Sequence, residues 1–318
     1  MEVDNTFIEL LLPYIMALVP ALAAAVSTGT PILFATLGEL VTERAGVLNL
    51  GVEGMMMVGA LASFVVCHHT GSPWFGMFCG GAAAMLIAAL HGLVCMVFQG
   101  SQVVSGLALT IFGAGVANYL GTPYIQQKVE GFTAFSIPLL SSIPILGRIF
   151  FQQNAMVYLS YLLPFLLWFL LQRTRFGLAL RASGENPEAV RAAGISPGKM
   201  RWAAILLGGY LVGLGGSYLA LAFMRMWADN LVAGRGWIAV ALVIFAFWRP
   251  GRAVLGVYLF AGVTSYLLRL QALDVPIPSS ILAMLPYLMT LLVLFASSLK
   301  GKGSGAPADL GNNLKVGD

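Results

Sequence analysis

The sequence predicts an all-α polytopic membrane protein of about nine transmembrane helices, within a range of eight to ten, with the N-terminus outside and the C-terminus in the cytoplasm. Three observations predict it. Of 318 residues, 59% are hydrophobic and 9% charged, whereas a soluble domain is about a quarter charged. Apolar runs long enough for a helix to cross a bilayer, about 20 residues each, recur along the chain. The lysines and arginines sit at the ends of those runs, and they are shared unevenly between the two sides.

Nine apolar segments follow one another, at about 9–37, 47–67, 73–98, 102–120, 155–172, 201–223, 236–248, 253–270 and 279–299. The first contains "STGTP" at 27–31, a candidate break, and the seventh is short. The opening "MEVDNTFIELLLPYIM" carries Glu2, Asp4 and Glu9 and no base. That is the reverse of a signal-peptide n-region, so the first segment reads as a retained span. Residues 1–299 then form a transmembrane domain with a long polar loop at 173–200. Residues 300–318 form a Gly-rich polar tail whose composition reads as disordered.

Orientation follows from the bases. With loop 173–200 inside, alternation also puts 38–46, 99–101, 249–252 and the tail inside. Twelve Lys and Arg residues then face the cytoplasm, and five (Lys128, Arg148, Arg225, Arg235 and Arg269) face out.

Glycines and other small residues recur at helical spacing in "GVEGMMMVGA", "GLALTIFGAGVANYLG" and "GGYLVGLGG". Small side chains let helix backbones approach closely where lipid supplies no hydrophobic drive, so these stretches read as a tightly packed bundle.

Several chemistries lack their parts. No basic face interleaved with aromatics is present to bind nucleic acid. Cys67, Cys79 and Cys95 match no metal or redox spacing. His91 and Cys95 stand at i, i+4 and could share a ligand, but without a second pair they read as packing residues. His68 and His69, at an outer span end, read as interfacial polar residues. The nearest approach to a phosphate-binding loop is "GISPGKM", where Gly194 to Gly198 is one residue short and Met200 stands where a hydroxyl should hold magnesium. The motifs of an intramembrane hydrolase are missing as well.

The loop segment "RASGENPEAVRAAGIS" (181–196) concentrates charge in a chain that avoids it. Within it, 187–193 reads as a complete short helix. Asn186 is an N-cap and Pro187 suits the first helical position. Glu188 lies in the first turn, where the helix dipole favours an anion. Gly194 suits the left-handed position after the last turn, and Pro197 prevents resumption. Such a helix is roughly 10 Å long and needs a partner surface to persist. Ala189, Ala192 and Ala193 give it a smooth face. On these signals alone it is either a capped surface turn or a docking helix.

"TRFGLALRASGENPEAVRAAGIS" resembles the cytoplasmic coupling loop of ABC importer permeases of the sugar and nucleoside branch. "GELVTERAGVLNLGVEGMMMVGALAS" (38–63), "IPILGRIFFQQNAMVYLSYLLP" (143–164) and "AGRGWIAVALVIFAFWRPGRAVLGVYLFAG" (233–262) are similar to further stretches of its nucleoside-type members. The resemblance implies a multi-pass permease of the bacterial inner membrane that is not itself an enzyme. It implies three partners: a double-cassette ATPase that holds the ATP and magnesium, a second permease subunit, like or unlike, and an extracytoplasmic substrate-binding lipoprotein. It also assigns the coupling contact to Gly184, Glu185, Asn186, Pro187, Glu188, Ala189, Arg191, Ala192, Ala193 and Gly194.

Within the spans, Glu53 lies about 9 Å into the second apolar segment. Asn49, four residues earlier, falls on the same helix face if the helix is already formed there. An intramembrane carboxylate is a candidate functional group. The pair either lines the pathway or ties an irregular helix start to a neighbouring span, as the flanking Gly46, Gly51 and Gly54 suggest; Arg44 is the nearest base in sequence. Asn118, in the fourth segment, is a further candidate pathway or gate residue.

The expected function is import of a nucleoside or related small polar solute, with a simple sugar as the alternative. An ion-coupled secondary transporter would need intramembrane ionisable groups, and Glu53 is the one plausible carboxylate the sequence places within a span.

Overall fold

The structure, a computed structural model, describes residues 5–143, 145–271, 284, 288, 295 and 305–312. Its helices in chain order are α1 (Asn5–Arg44), α2 (Val52–Thr70), α3 (Pro73–Gly92), α4 (Gln102–Gly121), α5 (Leu146–Phe150), α6 (Ala155–Arg173), α7 (Arg175–Glu185), α8 (Pro187–Ala192), α9 (Pro197–Tyr218), α10 (Arg235–Phe245) and α11 (Pro250–Gln271). A short π-helical turn extends α3 over Leu93–Val97, and another extends α9 over Leu219–Phe223. One small antiparallel pair joins β1 (Ala134–Ser136) to β2 (Gln152–Asn154), with Phe135 opposite Gln153.

Local chemistry sets the helix starts. Ser72, Ser101, Asn154, Thr174, Asn186 and Ser196 each accept a backbone N–H of the turn they precede. Proline occupies the first turn of α3, α8 and α9, where its missing N–H costs nothing.

Seven helices among the described residues are long and apolar enough to cross a membrane. The integral, multi-pass, all-helical class therefore stands, but the count of nine does not emerge. The eighth candidate, α10, has 11 residues and is too short to cross alone. The last apolar segment, 279–299, falls outside the described residues apart from isolated positions.

Two further expectations are corrected. α1 runs unbroken through "STGTP", and the Ser27 and Thr30 hydroxyls are satisfied within it, donating to the Ala24 and Val26 carbonyls at 3.0 and 2.8 Å. Residues 38–44, expected in a loop, form the last turns of α1 and are mostly buried.

α9 lies at the centre, packed on α1, α2 and α3. Its glycines make the close approach possible. A Cβ added at Gly38 of α1 would stand 2.5 Å from the Gly208 carbonyl oxygen, and one at Gly59 of α2 would stand 2.8 Å from the Gly213 Cα. Side chains there would hold the helices apart and lose the dispersion contact that joins them in lipid.

One end of the bundle gathers the termini of many elements. Arg44 Nε donates to the Trp248 carbonyl at 2.9 Å, and Arg201 Nε donates to the Ala45 carbonyl at 3.3 Å. Gln102 bridges the Leu48 amide and the Asn312 carbonyl, at 2.6 Å each. This is the basic end. Within the Gly-rich tail, residues 305–312 form a turn hydrogen-bonded to this end. At the far end, His69 meets the Tyr124 hydroxyl at 3.1 Å, and residues 125–128 pair with 226–227.

Candidate functional site

Two arrangements carry the candidate residues. The first is the loop between α6 and α9. The sequence places one helix there; the structure has two, because Thr174 also caps α7, accepting the Gly177 N–H at 3.0 Å. α7 ends at Glu185, the chain extends at Asn186, and α8 begins.

The Asn186 carboxamide oxygen accepts the Ala189 N–H at 3.0 Å. At the other end, the Ile195 N–H reaches the Val190 carbonyl at 3.1 Å, and the Gly194 N–H reaches the Arg191 carbonyl at 2.9 Å. With Gly194 at φ +77°, this is the paired 6→1 and 5→2 closure of a glycine-terminated helix. The helix covers 187–192, one residue less than expected. Val190 turns inward and is buried, while Glu188, Ala189, Arg191, Ala192, Ala193 and Gly194 are exposed. Gly184 is buried against the Arg44–Gly46 turn and leaves no room for a side chain. Exposed Glu185 accepts the Ala308 N–H at 3.3 Å.

The second arrangement lies inside the bundle. From 224 to 234 the chain is irregular, and α10 then runs back to the basic end. A helix that starts inside a packed bundle leaves first-turn amides that its own turns cannot satisfy. Glu53 satisfies them from α2: Oε1 accepts the Gly234 N–H and Oε2 the Gly236 N–H, each at 2.7 Å. The carboxylate also sits where the helix dipole is positive. Glu53 is therefore the tie between two elements, and its partners are these amides rather than Arg44, which is engaged with Trp248.

Asn49 does not share a helix face with Glu53, since α2 begins only at Val52. It shapes the preceding turn instead. Its oxygen accepts the Gly51 N–H at 2.9 Å, and its own N–H donates to Glu39 at 2.9 Å. Asn118 on α4 holds the same irregular stretch further along. It donates to the Asn230 side-chain oxygen at 3.1 Å and accepts the Asn230 N–H at 3.2 Å. Glu53 and Asn118 thus grip residues 230–236 at two points, while Asn49 stands apart.

Sequence reading missed two buried carboxylates. Glu39 and Glu43 on α1 are fully enclosed. Glu39 receives the Asn49 amide, and Glu43 receives the Trp248 indole N–H. Their i, i+4 spacing in "ELVTER" was a visible signal that the loop assignment concealed. His91 is also accounted for, with its ring nitrogens 3.0 Å from the Ser105 hydroxyl and 3.0 Å from the Leu48 carbonyl. An open cavity of about 1080 Å³ lies between α1, α5 and α11, lined by Ser27, Arg148 and Arg269 among others and not by Glu53.

Residues 21–294 match the family described as the permease component of the branched-chain amino acid transport system. The chain belongs to this permease family. It is 44% identical to a putative glucose ABC transporter permease protein of Haloferax volcanii, over 80% of this chain and 78% of that one. A nucleoside ABC transporter permease protein of Lactococcus lactis is 35% identical over 90% and 94%, and a guanosine ABC transporter permease protein of Bacillus subtilis 34% over 83% and 87%. No solved structure matches. This permease is accordingly a multi-pass plasma-membrane subunit of an ABC transporter. The buried carboxylates of α1 do not revive the ion-coupled reading, since the family works as a subunit of such a system.

Proposed function

We propose that the permease imports a nucleoside or a closely related neutral polar solute, driven by ATP hydrolysis on a separate double-cassette ATPase. The observation that carries the solute class is the likeness to two permeases named for nucleosides, across most of their length. The geometry supports a neutral solute. Two amides at the positive end of α10 are already taken by Glu53, whose own negative charge disfavours a second anion there.

In this reading the N-terminus is outside and the basic end faces the cytoplasm. α8 docks in a cleft of the ATPase, which holds ATP and magnesium. Closure of the cassettes moves α8, and the permease pair, whether two copies of this chain or two different chains, turns from outward- to inward-facing. A substrate-binding lipoprotein delivers solute at the far end.

A second reading, import of a simple sugar, is favoured by the 44% identity to the putative glucose permease. Uptake of labelled adenosine, guanosine, uridine and glucose, in cells with and without this gene, separates the two. Gene-dependent uptake of a nucleoside but not glucose is expected. Glucose uptake alone would overturn the nucleoside reading in favour of the second, and uptake of none would remove both.

A further inference from the structure

We propose that residues 305–312 are a strap that positions α8, with Asp309 as its anchoring residue; this rests on the reading of α8 as the coupling helix. Arg201, at the start of α9, is fully buried and forms an ion pair with Asp309. Its guanidinium also donates to the Ser183 carbonyl at 3.2 Å and, through Nε, to the Ala45 carbonyl at 3.3 Å. One side chain thus joins the end of α7, the turn after α1, and the strap.

The backbone of the strap adds two more ties at the same joint. The Asp309 N–H donates to the Gly184 carbonyl at 2.9 Å, and the Ala308 N–H donates to Glu185 at 3.3 Å. These are the last two residues of α7, directly before Asn186 and α8. Beyond them the strap reaches α4, where its Asn312 carbonyl accepts from Gln102. Its apolar residues, Ala306 and Leu310, pack on the hydrophobic core.

The mechanical consequence follows from size. α8 has six residues and one buried side chain, Val190, so its own surface holds it weakly. A six-residue helix transmits displacement only if the joint behind it is stiff. That joint is clamped on one side by the Arg44–Gly46 turn against Gly184, and on the other by the strap. With the strap in place, movement of α8 passes to α1, α4 and α9 together. Without it, the α7–α8 joint flexes and the displacement is lost.

The test compares Asp309→Asn, Asp309→Glu and a chain ending at residue 304, each as the whole permease in nanodiscs, by amide hydrogen exchange. Uptake of the labelled nucleoside or glucose that the wild type carries is measured in cells. Asp309→Asn and the truncation are expected to raise exchange over 183–195 and 45–48 while leaving α2, α3 and α9 protected. Uptake should fall by about tenfold in Asp309→Asn, the scale of replacing a charge-assisted hydrogen bond with a neutral one, and further in the truncation, which also removes the backbone ties. Asp309→Glu should recover most of it. Unchanged exchange at 183–195 in both variants overturns the strap. Raised exchange across the whole bundle also overturns it, in favour of a general structural role. Raised local exchange with wild-type uptake overturns the positioning role if Ala192→Arg abolishes uptake in the same cells. If Ala192→Arg also leaves uptake unchanged, the coupling reading of α8 has failed, and the strap's role falls with it.

Discussion

Glu53 of α2 holds the amide of Gly236 at 2.7 Å, closing the N-terminus of α10 from across the bundle. The approach is tight: a Cβ added at Gly236 would stand 2.5 Å from the Glu53 Cα. Removing the acceptor leaves a buried N–H without a partner, which costs about 1–3 kcal/mol per group. Glu53→Gln replaces one acceptor oxygen with an NH₂ that faces a donor, and Glu53→Ala removes both acceptors. Thermal unfolding in detergent is expected to show Glu53→Gln below the wild type and Glu53→Ala lower still. A Glu53→Gln protein that melts with the wild type would remove the capping account.

The crossing of α1 and α9 makes a second prediction. Gly38→Ala places a methyl 2.5 Å from the Gly208 carbonyl oxygen, a backbone atom that no rotamer change can move, with the Val212 side chain 3.0 Å away. Overpacking of this kind costs about 1–3 kcal/mol. Gly115→Ala is the control, because a Cβ there meets nothing within 4 Å. In mid-helix that change should be neutral or stabilising by about 0.5–1 kcal/mol. Equal melting temperatures for the two variants would refute close backbone contact at Gly38.

The sequence made the long apolar helices and the short helix legible, because both are local. Span length is set by the bilayer, and the caps of α8 lie within nine consecutive residues. What escaped it was long-range. Nothing near Glu53 in the chain indicates that its partners lie 181 and 183 residues away. "GELVTER" looks polar enough for a loop, and only the Asn49 amide and the Trp248 indole, both brought in by other elements, make a buried site of it. Composition likewise cannot register that Asp309, in the Gly-rich tail, pairs with the buried Arg201.

The proposed orientation is tested by labelling. Cysteines at positions 2 and 316, in a protein without Cys67, Cys79 and Cys95, should react oppositely with an impermeant maleimide on intact cells. Position 2 should label and position 316 should not until the membrane is opened. The twelve-to-five distribution of bases motivates the expectation. Labelling of both from one side would require an even number of crossings and would overturn it.

Docking of α8 makes the last prediction. Its exposed face is built of Ala189, Ala192 and Ala193, and a helix this short offers so little surface that contact must come from close fit. Ala192→Arg should overpack the receiving cleft by about 1–3 kcal/mol or more. Gly194→Val acts differently, by placing a β-branched residue at φ +77°, where the chain needs the left-handed conformation to close the helix. Ala192→Arg should therefore keep the helix and lose the partner, whereas Gly194→Val should lose the helix end itself. Both changes lie outside the bundle, so insertion and thermal stability should stay near wild type. Co-purification of the ATPase and solute uptake should fall together in each. Amide exchange over 187–195 should rise only in Gly194→Val. If Ala192→Arg retained the ATPase and transported normally, α8 would be a capped surface turn and no more.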